Sequence, residues 1–173
     1  MKTITTTLAL ATALVFFSFT KEEVPTIIND SVPTLRNVSN KAFKAGEQLE
    51  YRLHYGIINA GTAKLEIKPL AQKIAGRDVY HIVGSGKTKG AFDWVFKVRD
   101  TYETFLDVDG VFPWMFKRDV NEGGYKINQK YTFEQAKNKV DNGKGKSFEA
   151  PHGVQDMLSA FYYARSIDYS KAK

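Results

Sequence analysis

The chain has 173 residues, with 25 Lys and Arg against 19 Asp and Glu, so its net charge is +6 and its length suits one domain after a short N-terminal segment. It contains no cysteine, which excludes disulfides, thiolate metal sites, thiol catalysis and a lipid-modified cysteine anchor. Lysine is spread along the chain, which favours a solvated surface with a bias towards anionic envelope components over a nucleic-acid-binding face.

The first twenty residues predict export. Lys2 gives a basic start, and Leu8–Phe19 form an apolar run without charge. This pattern is typical of a secretory signal peptide, and the run is short for a membrane-spanning helix. An uncleaved membrane anchor and a buried core helix are the alternatives, because Ser18 and Thr20 fit the small-residue positions of a cleavage site without matching Ala-x-Ala. We therefore expect residues 1–20 to be a signal peptide and the protein to be exported to the periplasm or cell envelope.

Two further segments follow. Residues 21–44 predict a linker or N-terminal arm, since Pro25 and Pro33 interrupt regular structure and no sustained period appears. Residues 45–173 predict one β-rich domain, rich in aromatic residues that suit half-buried strands.

The first hairpin has the clearest alternation in the chain. Residues 47–55 place apolar side chains at every second position, which predicts a strand with one buried and one wet face. Residues 63–67 repeat the alternation, and the turn chemistry at residues 59–61 predicts the connection between the two strands.

The next strands follow at short intervals. A turn at residues 75–78 leads to a third strand near 79–84. Residues 91–97 fit either a helical stripe or a strand face, and we choose a short helix leading into a strand over 98–107. A turn at 107–110 precedes an extended segment over 111–118, in which Pro113 suits a strand start or an edge.

The last elements are two hairpin turns, a weak strand and a helix. A turn at residues 122–124 precedes a strand over 125–133, and Asn138 or residues 142–143 mark another turn before a weak strand near 147–148. After Pro151, apolar residues at three- and four-residue steps predict an amphipathic helix of about four turns from residue 153. Its Asp156 is expected to cap the first turn or to face the sheet.

These elements predict a mainly β fold: an antiparallel curved sheet or partly open barrel with one α-helix packed against it near the C-terminus. A concave sheet that is partly filled by a helix suits a ligand, and it suits a plain core equally well. Six aromatic residues are candidate ligand contacts, each with core packing as its alternative: Tyr51, Tyr55, Trp94, Trp114, Tyr125 and Tyr131.

The catalytic and cofactor motifs are weak. Gly86-Lys87-Thr88 imitates the end of a phosphate-binding loop, but His81 stands where that motif needs glycine, so we expect no nucleotide. His54 and His81 lack metal-ligand spacing, although Glu50 or Glu103 could complete a site, and we expect no metal and no cofactor. No serine nucleophile motif occurs.

Several stretches together resemble the DUF3108 family, exported Gram-negative envelope proteins of unknown function. The stretches that carry the resemblance are residues 43–56, 59–61, 86–94, 98–104, 121–125 and 155–165. The resemblance implies a secreted or periplasmic, mostly β protein and brings no catalytic residues. Family members typically continue past the helix with further strands, which implies that this chain is the N-terminal part of a longer domain, with an unpaired edge or an exposed apolar face.

The leading hypothesis is a non-enzymatic envelope protein that binds a hydrophobic or glycan-like ligand, with no nucleic-acid partner and with membrane-surface association as a further hypothesis. The alternatives are a hydrolase of envelope polymers using paired carboxylates among Glu50, Asp100 and Glu103, and a structural interaction module. The oligomeric state stays open.

Overall fold

The structure is a computed structural model, and it describes residues 34–68 and 73–171. The predicted signal peptide and most of the predicted linker lie outside the described residues.

The described residues form one antiparallel sheet of nine strands, which confirms the predicted fold class. The strands are β1 (Gln48–Tyr55), β2 (Ile58–Lys68), β3 (Lys73–Ile74), β4 (Arg77–Thr88), β5 (Arg99–Asp107), β6 (Pro113–Glu122), β7 (Tyr125–Glu134), β8 (Lys139–Asp141) and β9 (Ser147–Glu149). Their order is β1-β2-β4-β5-β6-β7-β8-β9, with β3 paired to β4. Because β1 and β9 do not pair with each other, the sheet formed by the described strands is open.

The first hairpin exists, but its predicted turn at residues 59–61 is wrong. The chain turns at Gly56 and Ile57, where Gly56 has φ +59°, a conformation that glycine adopts without strain. Residues 59–61 continue β2 instead. Leu53 pairs with Gly61 and His54 with Asn59, which leaves Ala60 as the extra residue of a β-bulge.

The central part of the prediction is confirmed. The helix chosen for residues 91–97 is α1 (Gly90–Val95), and β5 follows it. Pro113 is the first residue of β6, where its missing N–H costs no sheet hydrogen bond. The chain turns at Gly123 and Gly124, and the weak strand at 147–148 is β9.

The C-terminal helix α2 (Met157–Ser166) has ten residues, so the prediction of about four turns from residue 153 is too long. Asp156 determines where it begins. Its carboxylate accepts hydrogen bonds from the backbone N–H groups of Leu158 and Ser159, and the Ser159 hydroxyl accepts one from the Asp156 N–H. This reciprocal cap satisfies N–H groups that would otherwise lack partners at the helix start.

The helix covers one face of the sheet, which we call the inner face. Leu158 and Tyr162 of α2 join Ile67, Ile82 and Leu106 from three strands in one buried core cluster. Tyr162 is fully buried and packs edge-on against Phe43, with ring centroids 4.9 Å apart. The opposite, outer face carries most of the charged side chains of the central strands.

Residues 34–44 form no helix or strand, yet they pack on the domain. Phe43 is buried in the core cluster. The Arg36 guanidinium donates to the carbonyls of Gly110 and Val111 at 2.9 and 2.7 Å, and it lies over the Tyr163 ring. The end of the predicted arm therefore contributes to the core.

Candidate functional site

The cover over the inner face ends between two glycines of β4. A Cβ atom placed on Gly84 would lie 3.1 Å from a methyl carbon of Leu65 and 3.2 Å from one of Leu158, so α2 packs directly on this position. A Cβ on Gly86 would meet no atom of the described residues within 4 Å. Because residues two apart on a strand share a face, both glycines belong to the inner face. The helix therefore covers this face as far as Gly84 and leaves it open from Gly86 onwards.

The apolar side chains of β1 lie on this open part. Tyr51 pairs with Ala63, which pairs with Gly86 in turn, so these residues form one row across the inner face. Tyr51, Leu53 and Tyr55 are 42, 49 and 75% exposed. The prediction that this face of β1 is buried is wrong. Helix α2 packs over β2, β4 and β5, and no described segment covers the inner-face side chains of residues 51–55. We call Tyr51, Leu53, Tyr55, Ala63 and Gly86 the open inner face.

Helix α2 presents a second apolar stripe at the border of this surface. Met157 and Phe161, one turn apart, are both exposed. Tyr163 packs under Arg36 on one flank of the helix, and Phe161 lies about 200° away from it around the helix axis. The exposed stripe therefore lies on the flank of α2 opposite Tyr163 and Arg36.

A buried hydroxyl lies beside Tyr51. The pKa of Tyr162 is raised to about 12, chiefly by burial and also by the nearby Glu47 and Tyr51, while Arg165 acts to lower it. Arg165 forms two hydrogen bonds with Glu47, at 2.5 and 2.8 Å. Within the described residues, the Tyr162 hydroxyl has no hydrogen-bond partner. An uncompensated polar group therefore adjoins the open inner face.

Two carboxyl groups meet on the same face. Asp100 pairs with Gly86 and therefore lies in the row of Tyr51 and Ala63, and Glu122 lies close to it on β6. Glu122 shares a hydrogen bond with Asp100, and this contact, together with charge repulsion from Asp100, raises the pKa of Glu122. Asp100 also accepts the Asn121 N–H at 3.0 Å. Arg118 lies on the next row, where its guanidinium donates to Gln129 at 2.7 Å. The inner face is therefore apolar at β1 and polar towards β6.

The six predicted contacts separate into three groups. The structure places Tyr51, Tyr55, Tyr125 and Tyr131 on the inner face, at its two sides on β1 and β7. Trp94 lies on α1 and is 90% exposed. Trp114 lies at the other end of the sheet, where its indole N–H donates to Asp107 at 3.0 Å, so it is far from this surface.

The three carboxylates considered for a hydrolase do not converge. Glu50 and Glu103 lie on the outer face, whereas Asp100 lies on the inner face. The pair that does meet, Asp100 and Glu122, is in hydrogen-bond contact. Glycosidases keep their two carboxyl groups about 5 Å or more apart, because a sugar or a water lies between them.

The histidines also lie apart. His81 makes a 2.6 Å hydrogen bond with Glu103 and stacks on Phe105, while His54 lies near the other end of the outer face. Within residues 34–68 and 73–171 there is no cluster of three or more His, Asp or Glu side chains that could hold a metal ion.

The outer face contains a polar cleft of about 400 Å³. Glu50, Lys64, Ser85 and Lys87 are among its lining residues. The residues that imitate a phosphate-binding loop, 86–88, belong to β4, and the Thr88 hydroxyl donates to Asp93 at 2.7 Å. No long helix follows them, since α1 has six residues. The segment therefore lacks the loop geometry that cradles phosphate.

Reasoning from sequence missed Gly86 and Glu122 as site residues. It treated Gly86 only as part of the phosphate-loop imitation and Glu122 only as a turn residue. The alternation through residues 80–86 could have placed Gly86 on the inner face, but nothing local indicates where α2 stops covering it.

Among the described helices, none combines the length and apolar character needed to cross a bilayer.

Residues 50–173 match a family model described as a protein of unknown function, DUF3108. No curated protein and no solved structure matches the chain.

Proposed function

The chain belongs to the DUF3108 family, and we propose that it is an exported, non-enzymatic envelope protein that binds a hydrophobic or glycan-like ligand on the open inner face. The observation that carries the proposal is the change from a covered position at Gly84 to an open one at Gly86 on the same strand.

The chemistry of the surface supports an amphiphilic ligand. Three apolar side chains lie uncovered along β1. Burying them against an apolar group contributes a favourable free energy of about 25 cal/mol per Å² of apolar surface. Tyr side chains also stack on sugar rings and keep a hydroxyl for hydrogen bonding. Arg118 and the Asp100–Glu122 pair lie further across the same face and supply polar contacts for a headgroup or for sugar hydroxyls.

A hydrolase is the weaker candidate, because Glu50 and Glu103 lie on the face opposite Asp100, and the Asp100–Glu122 pair shares a hydrogen bond and is closer than the carboxyl separation that glycosidases use. An interaction module is the other competitor, since β1 is an edge strand whose backbone could pair with a further strand.

The test is a matched pair of substitutions at neighbouring residues that point to opposite faces. Gly86→Leu fills the open inner face, whereas Ser85→Leu places the same side chain in the outer cleft. The full chain is purified gently from the envelope, and native mass spectrometry records any bound ligand. A dansyl-labelled fatty acid and a soluble cell-wall oligosaccharide are then titrated as defined probes.

We expect a co-purified ligand or probe binding in the wild type and in Ser85→Leu, and at least tenfold weaker binding in Gly86→Leu. Urea denaturation checks that both variants are folded. If the wild type carries no ligand and binds neither probe, the proposal fails. If Ser85→Leu blocks binding and Gly86→Leu does not, the ligand belongs to the outer cleft and the proposal fails equally.

A further inference from the structure

Three chain connections meet at one end of the sheet. In an antiparallel sheet the β1–β2 turn, the β4–β5 connection with α1, and the β6–β7 turn all lie at the same end. Large apolar side chains project from each of them. We call this set the apolar rim: Ile57, Ile58, Trp94, Val95 and Tyr125.

The rim is exposed to an unusual degree. Ile57 is fully exposed and Trp94 is 90% exposed, although tryptophan is one of the most buried residue types on average. No residue of α1 is buried. The helix therefore contributes little to the core and presents its apolar side chains to the surroundings.

The rim is also held in place. The Lys89 N–H donates to the Ala60 carbonyl at 3.0 Å, which ties the start of α1 to β2, and the Gly123 N–H donates to the Lys97 carbonyl at 2.9 Å. Asp93 accepts hydrogen bonds from Arg99 at 2.6 and 3.0 Å, which fix the middle of α1. The exposed side chains stand on fixed backbone, so their exposure is a property of the fold.

The charges around the rim are positive. Lys89, Lys97 and Lys126 are exposed, and none of them forms an ion pair with another described residue. Of the acids nearest to them, Asp93 pairs with Arg99 and also attracts Lys97, and Glu122 shares a hydrogen bond with Asp100. The apolar side chains of the rim, flanked by these lysines, are complementary to a surface with an apolar interior and an anionic outer layer.

We propose that the apolar rim docks on the surface of a lipid bilayer that contains anionic headgroups. Ile57, Trp94 and Val95 enter the interface, where tryptophan is favoured, and the three lysines contact the headgroups. Each lysine near an anionic surface strengthens binding about fivefold. This inference goes beyond the proposed function, because the rim residues are distinct from the open inner face and bilayer docking requires no bound ligand.

The test must report on the rim and not on membrane attachment in general, because residues 8–19 of the full chain are also apolar and offer a second route to a membrane. Fluorescence of the wild type and of Trp94→Phe is measured with phosphatidylcholine vesicles, with and without phosphatidylglycerol. The difference between the two proteins reports Trp94 alone, because Trp114 is present in both. Brominated lipids then show whether Trp94 contacts acyl chains.

A charge-matched pair tests the lysines. Lys89→Glu, Lys97→Glu and Lys126→Glu are combined in one variant, and Lys139→Glu, Lys144→Glu and Lys146→Glu in a control with the same net charge at the β8–β9 region. We expect Trp94 emission to shift to the blue and to be quenched by brominated lipid only with phosphatidylglycerol. The rim variant should bind on the order of a hundredfold more weakly, and the control only slightly more weakly.

Three results would overturn the proposal. One is a chain that attaches to vesicles while Trp94 emission stays unchanged. Another is an equal loss of binding in both triple variants. The third is a Trp94 shift that grows with protein concentration without lipid, which would indicate a second copy on the rim. Ligand binding by Gly86→Leu and Ser85→Leu is measured without vesicles, so failure of either proposal is recognised separately.

Discussion

The Thr104 hydroxyl donates a 2.6 Å hydrogen bond to the Asp156 carboxylate, and this contact joins the first turn of α2 to the middle of the sheet. Both residues are buried. The same carboxylate caps the helix, so one side chain fixes both where α2 begins and which strand it covers. The position at which α2 stops covering the inner face, between Gly84 and Gly86, therefore depends on this contact.

Replacing Asp156 by alanine removes two cap hydrogen bonds and leaves the Thr104 hydroxyl with only its long, 3.4 Å hydrogen bond to the Met115 carbonyl. We expect Asp156→Ala to lower the free energy of unfolding by about 2–3 kcal/mol and Thr104→Val by about 1 kcal/mol, measured by urea denaturation. Burial raises the pKa of Asp156, so the charged form already carries a cost. Asp156→Asn, which keeps a capping oxygen, should therefore cost less than Asp156→Ala. Equal losses in both Asp156 variants would contradict this account.

A second buried carboxylate stabilises the end of the sheet that lies away from the apolar rim. Asp107 is fully buried, and its carboxylate accepts hydrogen bonds from Arg77 at 2.5 and 2.7 Å, from Trp114 and from the Gly110 N–H. Removing one partner of a buried ion pair costs about 3–5 kcal/mol. We expect Asp107→Ala to lower the free energy of unfolding by about 3 kcal/mol, because Arg77 is partly exposed and can still be hydrated.

Asp109 provides the control for this prediction. Its carboxylate lies 3.7 Å from the same guanidinium, but its side chain is 64% exposed. Asp109→Asn should change the free energy of unfolding by less than about 0.5 kcal/mol. A comparable loss in both variants would mean that the turn at residues 108–110, and not the buried pair, is what Asp107 stabilises.

Two glycines on facing strands predict opposite effects of the same substitution. A Cβ on Gly61 would lie 2.6 Å from the Lys87 carbonyl oxygen, which belongs to the backbone and cannot rotate away. A Cβ on Gly86 would touch no atom in the part of the chain that the structure describes. Gly61→Ala should lower the free energy of unfolding by about 1–3 kcal/mol. Gly86→Ala should be neutral or raise it by about 0.5 kcal/mol, since alanine suits a strand better. A loss in Gly86→Ala would show that the inner face is covered there.

Most strands follow from local sequence, because alternation and turn residues act over a few positions. The β6–β7 turn lies where two consecutive glycines take positive φ, and Pro113 begins β6 because it lacks an N–H. The predicted first turn at residues 59–61 is wrong because the chain already reverses at Gly56. Residues 59–61 have turn-forming side chains, but they belong to β2, where Ala60 is the extra residue of a β-bulge.

The candidate site follows from local sequence only in part. Alternation gives the face of Tyr51 and Leu53 correctly, but their exposure depends on α2, which lies about a hundred residues further along the chain. The Asp100–Glu122 contact depends on the β5–β6 register, which no short pattern encodes.

The Asp100–Glu122 pair gives the last prediction, a dependence of stability on pH. The pKa of Glu122 is raised above its ordinary value of 4.5 by Asp100, so the folded chain holds this proton more tightly than the unfolded chain. Stability from this group is therefore present below about pH 4.5 and is lost as pH rises through the raised pKa. Glu122→Gln keeps a hydrogen-bond donor to Asp100 without the charge. It should be as stable as the wild type at acid pH and more stable at neutral pH, as measured by urea midpoints across this range.

Glu149→Gln, at the edge strand β9, controls for the loss of one negative charge. If the difference between Glu122→Gln and the wild type is the same at every pH, or if it appears only at acid pH, repulsion between the two carboxylates is not what weakens this end of the sheet.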